Sequence, residues 1–408
     1  MNTSIKSLQI VIVGSGFAGM MAALAASRLR HEKNVSPAAL AITVVSPEPE
    51  MVVRPRLYEH KPETMVAPLG DLFAATDIHH ARGMVDRIDS VAGEVGLRGP
   101  DGETSTLPFD RLVLASGSEG FKPPIPGLAE FGHSATALED AVALDRHLHL
   151  LADRPASLAR NTVVVGGGGF TGLEVATEMP GRLHEILGED TQVRVIVVER
   201  SPQVAVTMGE EPRPYIEARL RELGIEVRTG ITIAHVADNG VTLDNGEKIE
   251  AATVIWSAGM RASPLTAQLP AERDHLGRII VEPDLRVPGA ANVFATGDTA
   301  KAATDSEGHF AVMSCQHARR LGAFAGHNAA ADLLGEATLP YDQPAYVTCL
   351  DLGPDVAIFT RGWSARTELT GRQAKQVKQE INTVWIYPPA ADRAAAYENV
   401  QAARTVDF

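Results

Sequence analysis

The sequence is poor in cysteine and in basic charge, and it lacks long apolar runs. Cys315 and Cys349 are the only cysteines among 408 residues, too few for a disulfide framework. Lys and Arg number 37 against 51 Asp and Glu, and the formal net charge of −14 argues against nucleic acid as a partner. No apolar run reaches the roughly 18–20 residues that a membrane-spanning helix requires, so any membrane contact would be peripheral.

The amino terminus contains no recognisable export signal. Residues 1–14, MNTSIKSLQIVIVG, enter a β-branched run without the apolar core or cleavage site of a signal peptide. We therefore expect a cytoplasmic protein. With 45% hydrophobic and 22% charged residues, the chain has a globular composition and is too long for one core, so we expect two or three domains.

Residues 10–26, IVIVGSGFAGMMAALAA, join a strand to a helix through a glycine-rich turn. In this G-x-G-x-x-G pattern Gly14 permits the tight turn, Gly16 lets the backbone approach a pyrophosphate, and Gly19 lets helix and strand pack closely. The phosphates would lie at the helix amino terminus, where backbone N–H groups are free. The residues of this loop predicted to bind a nucleotide are Gly14, Gly16, Phe17, Ala18 and Gly19.

The same device occurs again in residues 161–178, NTVVVGGGGFTGLEVATE. One glycine pattern is weak evidence, because any turn between strand and helix can carry glycines. Two patterns in one chain, each between a β-branched run and an alanine-containing helix, are strong evidence. The second loop's predicted nucleotide-binding residues are Gly167, Gly169, Phe170, Thr171 and Gly172.

The two halves also match beyond the glycines. Each helix is followed by an apolar strand, then by Asp-Gly or Asn-Gly turns typical of hairpins, then by an apolar strand that runs into small residues. The matching segments are 41–47 and 193–201, 99–103 and 238–248, and 111–117 and 253–259. The sequence therefore predicts an α/β protein with two Rossmann-like dinucleotide-binding domains in tandem.

Glu199 ends the strand VRVIVVE, where an acidic side chain binds the ribose hydroxyls of NAD and repels the 2′-phosphate of NADP. This favours NADH, although Arg200 leaves NADPH open. The alternative is a solvated glutamate at a strand end. In the first half the equivalent position is Ser46, with Glu48 two residues later, so the ribose contact there is uncertain.

Two further segments, NVFATGDT at 292–299 and LVLASGS at 112–118, resemble the two-dinucleotide flavoprotein reductases of the pyridine nucleotide-disulfide reductase fold. In that superfamily the strand before Gly-Asp returns to the FAD domain, and the aspartate, here Asp298, binds the ribityl chain. A simple turn is the alternative for Gly-Asp. The resemblance implies that the cofactors are FAD and NADH, and it adds as binding residues Ser46, Pro55, Val85, Ala115, Ser116, Gly117, Ala258, Gly259, Gly297 and Asp298.

Within this superfamily the sequence is most similar to type II NADH dehydrogenases, the single-subunit NADH:quinone oxidoreductases. Segments 44–59, 167–178 and 254–265 carry the resemblance, together with the Gly-Asp segment. Disulfide reductases of this fold carry a C-x-x-x-x-C pair in the first domain, but the first 314 residues contain no cysteine. A dithiol relay is therefore excluded. Cys315 and Cys349 are also not spaced as the cysteines of sulfide:quinone enzymes are. We expect both to be small buried hydrophobes.

The resemblance implies hydride transfer through the flavin and two catalytic residues. It places Glu174 near the nicotinamide, although this side chain could instead complement the helix dipole. Type II dehydrogenases carry A-Q-x-A-x-Q where the quinone approaches, and this chain reads CQHARR at 315–320. Gln316 is retained and is assigned to the acceptor site, His317 is expected to be structural, and Arg320 replaces the second glutamine, which weakens the quinone assignment.

Residues 368–387 have helical spacing of apolar residues, with Arg372, Lys375 and Lys378 assigned to the other side. Such a basic amphipathic helix can lie on a membrane surface, but we favour packing on its own domain with the charges solvated. A homodimer through this region is left open, and no metal site is predicted.

These features predict an FAD-dependent NAD(P)H dehydrogenase that passes electrons to a small acceptor, a quinone by resemblance. Two alternatives stay open: a reductase of a ferredoxin-like carrier, and a redox-sensing module that binds FAD and NADH without turnover. The domains expected are an FAD domain at 1–155 that resumes at 262–335, an inserted NAD domain at 156–261, and a small α+β carboxy-terminal interface segment at 336–408.

Overall fold

The computed structural model describes residues 7–400. The first glycine loop follows strand Leu8–Val13, an interior strand of a six-stranded sheet. Five strands of this sheet run parallel, and one edge strand is antiparallel. Its central strands are runs of buried Val, Ile and Leu because both faces of the sheet are covered. In spatial order the strands are Arg286–Val287, Ala290–Ala295, Arg111–Leu114, Leu8–Val13, Leu40–Ser46 and His79–Arg82.

Helices Phe17–Glu32 and Cys315–Leu334 pack against each other beside this sheet. Their contact is close because a Cβ atom at Gly322 or Gly326 would overlap the backbone of the first helix. The strand before Gly297 pairs with strand Arg111–Leu114, so a late segment of the chain returns to the first sheet. This places the Gly-Asp turn beside the first glycine loop.

The second glycine loop belongs to a separate five-stranded parallel sheet. The parallel cores confirm the predicted α/β fold class with Rossmann-like units, while the exact domain boundaries stay a prediction. In spatial order its strands are Gly132–His133, Thr253–Trp256, Thr162–Gly166, Arg194–Glu199 and Glu226–Thr229. The accompanying helices are Leu138–Leu150, Phe170–Leu187 and Arg213–Glu222.

Each unit also carries a three-stranded antiparallel sheet, and the predicted hairpin turns connect its strands. The strands are Met84–Asp89, Glu94–Arg98 and Thr104–Pro108 in the first unit, and Ile233–Ala237, Gly240–Leu243 and Lys248–Glu250 in the second. Two-stranded ribbons pair Glu50–Val52 with Val66–Pro68, Ser118–Gly120 with Met260–Ala262, and Ile279–Ile280 with Ala300–Lys301. Gly70–Ala75 and Leu128–Phe131 are short helices.

The carboxy-terminal part is a small α+β unit, and its helix is shorter than predicted. Residues 368–370 belong to a strand, the helix is Gly371–Glu380, and a π-helical turn follows at Ile381–Trp385. Within residues 7–400 no helix combines the length and apolarity needed to cross a bilayer. The remaining elements are strands Val347–Asp351, Ala357–Arg361 and Arg366–Thr370 and helix Arg393–Asn399.

Candidate active site

A cavity of about 1360 Å³ lies where the two dinucleotide-binding units and the carboxy-terminal part meet. Its wall combines the first glycine loop, the turn after strand Arg111–Leu114, the start of helix Phe170–Leu187 and the start of helix Cys315–Leu334. Fourteen predicted site residues lie in this wall. They are Gly14, Gly16, Phe17, Ala18, Pro55, Ala115, Ser116, Gly117, Phe170, Thr171, Glu174, Gly297, Asp298 and Gln316.

The first loop has the geometry that a pyrophosphate requires. Gly14 has a φ of +103°, and a Cβ atom there would lie 2.5 Å from the carbonyl oxygen of Ala115. A Cβ atom at Gly19 would overlap the carbonyl oxygen of Gly14, so this glycine sets the close contact behind the loop. A Cβ atom at Gly16 would meet nothing within 4 Å, and no side chain caps helix Phe17–Glu32. Open space in front of free backbone N–H groups fits a phosphate.

The second loop repeats this geometry, with its three glycines outside the wall of the large cavity and Phe170 and Thr171 in it. Gly167 has a φ of +116°, a Cβ atom at Gly172 would overlap its carbonyl oxygen, and Gly169 again faces open space. The amino terminus of helix Phe170–Leu187 also lacks a side-chain cap. The two loops therefore have equivalent geometry, and each follows a strand of one of the two parallel sheets.

Glu199 lies beside the second loop and is part of its hydrogen bonding. Its Oε2 accepts from the Gly168 N–H at 2.7 Å, and its Oε1 accepts from the Ser201 N–H at 2.7 Å. Burial alone would raise the pKa of Glu199, but the bonds from Ser201 and Gly168 outweigh it and hold the pKa below the ordinary value. Glu199 is therefore ionised at neutral pH, and its charge would oppose a 2′-phosphate at this loop. Its contact with a ribose stays a prediction.

Other predicted residues lie away from the large cavity. Ser46 is buried, donates to the carbonyl of Glu48 at 2.6 Å and bonds with His80 at 2.9 Å, so its hydroxyl is already engaged. Val85 is partly buried and packs against a hydrophobic cluster that includes strand residues of the first sheet. The binding roles of Ser46 and Val85 stay predictions. The remaining predicted residues outside the cavity wall are Gly19, Gly167, Gly169, Gly172, Glu199, Ala258 and Gly259.

Asp298 lies on the cavity floor, on a turn after strand Ala290–Ala295. Its Oδ2 accepts from the Ser118 hydroxyl at 2.5 Å. Burial raises the pKa of Asp298, although the Ser118 bond and the nearby Arg54 guanidinium oppose the rise. Arg54 is held by the carbonyls of Thr136, at 3.0 Å, and Ser118, at 2.9 Å. Arg54 could not be predicted from the sequence, because a lone arginine in a loop carries no motif.

Three cavity-wall side chains retain hydrogen-bonding atoms without partners among residues 7–400. They are Ser116 Oγ, Gln316 Nε2 and Asn382 Oδ1, and all three atoms are buried. A buried polar atom without a partner costs about 1–3 kcal/mol, so such atoms in a cavity wall mark contacts for a bound molecule. Together with the glycine cradle and Asp298, they form a site whose chemistry suits FAD.

His317 is fully buried behind this wall. Its Nδ1 is 2.9 Å from the Ser314 hydroxyl, and its ring contacts Tyr346 and Trp363 at centroid distances of 5.4 and 5.9 Å. Burial lowers the pKa of His317 to about 4, so the ring is neutral at physiological pH. This agrees with the expected structural role.

Glu174 is buried in the cavity wall beside a buried lysine. Its Oε1 lies 2.7 Å from Lys378 Nζ and also accepts from the backbone N–H of Asp351 at 3.2 Å. Burial raises the pKa of Glu174 to about 7, and the Lys378 charge is the main opposing effect. A carboxyl with a pKa near neutrality has the property that a proton donor or acceptor requires at physiological pH.

The Glu174 pair continues into a buried polar network. Asp351 accepts from the hydroxyl of Tyr58 at 2.8 Å and from Lys375 Nζ at 2.6 Å. The expectation that Lys375 and Lys378 are solvated was wrong: Lys378 is 4% exposed, and both ammonium groups are paired. Lys378 lies four residues after the buried Ala374, so helical spacing places it at the edge of the buried face.

Both cysteines line the cavity, Cys349 buried and Cys315 partly buried. Burial raises the pKa of the Cys315 thiol, and it raises that of Cys349 to about 12. Neither is therefore a thiolate at neutral pH, the form that redox and nucleophilic chemistry needs. Arg320, which stands where a second glutamine was expected, also lines the cavity and donates to the carbonyl of Asp342 at 2.6 Å.

Comparisons with known proteins agree with this geometry. Residues 8–322 match the model of the pyridine nucleotide-disulphide oxidoreductase family. An NADH dehydrogenase-like protein of Mycobacterium tuberculosis is 45% identical over 383 residues, which cover 93% of this chain and 94% of the relative. The demethylphylloquinone reductase NdbB of Synechocystis is 31% identical over 360 residues, 86% of each chain.

Among solved structures, NDH2 from Plasmodium falciparum in complex with NADH superposes with a TM-score of 0.78. The match covers 97% of this chain and 98% of that one at 13% identity, and it supports the fold alone. The extent of the family match and the identity to full-length relatives decide the assignment. This chain belongs to the pyridine nucleotide-disulphide oxidoreductase family and is an FAD-dependent NADH oxidoreductase.

Proposed function

We propose that this enzyme transfers electrons from NADH to a quinone, with the balance NADH + H⁺ + quinone → NAD⁺ + quinol. FAD, when held by the first glycine loop and Asp298, would supply the redox chemistry between the nicotinamide and the acceptor. The protein's part is to hold both nucleotides, exclude water and provide the proton. The Synechocystis relative, named as a demethylphylloquinone reductase, supports a quinone as the acceptor.

The observation that carries the proposal is the composition of the cavity wall. The wall reaches from the first glycine loop to apolar side chains of the carboxy-terminal part, Ile381, Trp385 and Ile386. A planar, largely apolar acceptor fits such a surface. In the same wall Gln316 offers an unpartnered amide N–H that can donate to a carbonyl oxygen.

We assign the holding of FAD to the first glycine loop, to the turn Ala115–Gly117 and to Asp298, with Ser116 as a further polar contact. The second loop and Glu199 are assigned to NADH. Glu174 is proposed as the proton-holding group, because it lines the cavity and burial raises its pKa to about 7. Because neither cavity cysteine is a thiolate at neutral pH, we propose a path without a thiol relay.

A steady-state acceptor screen on the flavin-loaded protein tests the proposal. With NADH as donor, we expect menadione to be reduced far faster than either molecular oxygen or a ferredoxin. Fast reduction of the ferredoxin with inert quinones would show instead that the partner is an iron–sulfur carrier. Flavin reduction by NADH without turnover of any acceptor would favour a sensor. Cytoplasmic location and a homodimer stay predictions.

Gln316→Leu gives a sharper test of the acceptor end. Loss of one donor to a carbonyl should lower kcat/KM for menadione about tenfold, while the rate of flavin reduction by NADH stays the same. Gln376→Leu, an exposed glutamine on helix Gly371–Glu380, is the matched control. Equal menadione kinetics in the two variants would remove Gln316 from the acceptor site.

A further inference from the structure

Arg319 lies one helical turn after Cys315 and lines the same cavity. Its guanidinium donates to two neutral oxygens, the Tyr387 carbonyl at 3.4 Å and Asn399 Oδ1 at 2.8 Å. Within residues 7–400 no carboxylate forms an ion pair with it. Burial lowers the pKa of Arg319, yet arginine keeps its charge in proteins.

Other arginines near the cavity or in the same segment have acidic neighbours. Arg54 faces Asp298, and Arg393 pairs with Asp77 at 2.7 Å. Arg319 is partly buried, and partial burial of a charge without an opposite charge nearby is unfavourable. An anionic group on a molecule bound in the cavity would compensate the charge of Arg319.

The position of Arg319 relative to Gln316 indicates which chemical groups the bound molecule carries. The two residues are three apart on one helix and both line the cavity. Residues so spaced share a helix face, with Cβ atoms roughly 5–6 Å apart. The wall thus presents a neutral amide donor and a cationic donor side by side, which suits a molecule with a carbonyl next to a carboxylate.

We propose that Arg319 binds a carboxylate on the electron acceptor, so that the enzyme prefers quinones with an anionic substituent beside a quinone carbonyl. This proposal rests on the quinone reductase function proposed above. Arg319 is a specificity-determining residue in this account: it distinguishes acceptors by charge, whereas the apolar wall holds their rings.

The experiment compares a naphthoquinone carboxylate with its methyl ester, a pair that differs in charge. We expect wild-type enzyme to favour the carboxylate in kcat/KM, and Arg319→Gln to lower the carboxylate-to-ester ratio roughly tenfold or more, as expected for loss of a charge-assisted bond. Arg319→Lys should retain part of the preference. Because each ratio is compared between variants, intrinsic differences in acceptor reactivity cancel.

Arg393→Gln is the control for a purely structural role. Arg393 also ties the carboxy-terminal segment to the first domain, through the Ala75 carbonyl at 2.9 Å and Asp77, but it is not in the cavity wall. Its replacement should leave the carboxylate-to-ester ratio unchanged. The proposal would be overturned if Arg319→Gln lowered kcat/KM equally for the carboxylate and the ester. It would also be overturned if the variant lost FAD while the carboxylate-to-ester ratio stayed unchanged.

A second measurement needs no variant. Naphthoate and naphthamide are redox-inert and can be tested as inhibitors competitive with menadione. In wild-type enzyme naphthoate should inhibit more strongly than naphthamide. Equal inhibition would contradict the anion site. If the enzyme turned over the naphthoquinone carboxylate and its methyl ester without a charge preference, only the carboxylate proposal would be overturned. If it turned over neither quinone while NADH still reduced the flavin, the quinone function would be overturned as well.

Discussion

The buried Glu174–Lys378 pair makes a prediction about the pH dependence of quinone reduction. The pKa of Glu174 is about 7, raised by burial and held down mainly by Lys378. A carboxyl that must supply a proton does so only below its pKa. In wild-type enzyme kcat with a quinone should therefore fall as the pH rises through about 7.

Lys378→Met should move the falling limb of this pH profile, the pH range over which kcat drops, to higher pH. An opposite charge at such a distance lowers a carboxyl pKa by roughly 1–3 units, and one unit corresponds to about 1.36 kcal/mol. Without Lys378 the pKa of Glu174 is set by burial and the nearby Asp351 charge, both of which raise it. Asp351→Asn removes one of these raising effects and should move the limb in the opposite direction, to lower pH.

The assay is steady-state kcat with saturating NADH and menadione, measured from acid to alkaline pH. Glu174→Gln should abolish the limb and lower kcat by about 10²–10⁴-fold, the usual range for loss of a proton donor. Arg366→Gln, which breaks an exposed ion pair with Glu368 in the same carboxy-terminal unit, is the control. If Lys378→Met left the limb where it is in wild type, Glu174 would not be the titrating group.

Three further predictions concern cofactor binding. Gly16→Ala should fold normally and bind FAD weakly, because its methyl group would occupy the open phosphate space. Gly19→Ala should also lower the melting temperature, because its methyl group would overlap the Gly14 carbonyl. Equal changes in melting temperature for the two variants would contradict this distinction. Asp298→Ala should lower the flavin-to-protein absorbance ratio of the purified enzyme, and a normal ratio would refute its role. Glu199→Ala should raise the KM for NADH about tenfold, equivalent to about 1.4 kcal/mol, with a smaller effect on NADPH; equal effects would argue against the ribose contact.

The dinucleotide-binding cores could be predicted because their signals are local. Residues from Gly14 to Gly19, and again from Gly167 to Gly172, specify a strand, a turn and a helix within a short segment. The structure forms both turns and leaves Gly16 and Gly169 facing open space. Asp298 could be proposed for the same reason, since a short segment carried the resemblance, and the structure places it in the cavity wall.

The buried charges could not be predicted because their partners are remote in sequence. Lys378 and Glu174 are 204 positions apart, and Tyr58 reaches Asp351 across 293. A helical wheel shows which face a charge occupies but not whether an acid lies opposite it. Arg319 was likewise visible only as part of an altered motif, and its place in the cavity wall depends on the fold.

The most direct test of the account is an anaerobic titration of the purified, flavin-loaded enzyme. One equivalent of NADH per flavin should bleach the flavin absorbance, and one equivalent of menadione should then restore it, because two electrons enter and leave through the bound FAD. A protein that cannot be reconstituted with flavin, or a flavin that NADH fails to bleach, would contradict the central claim.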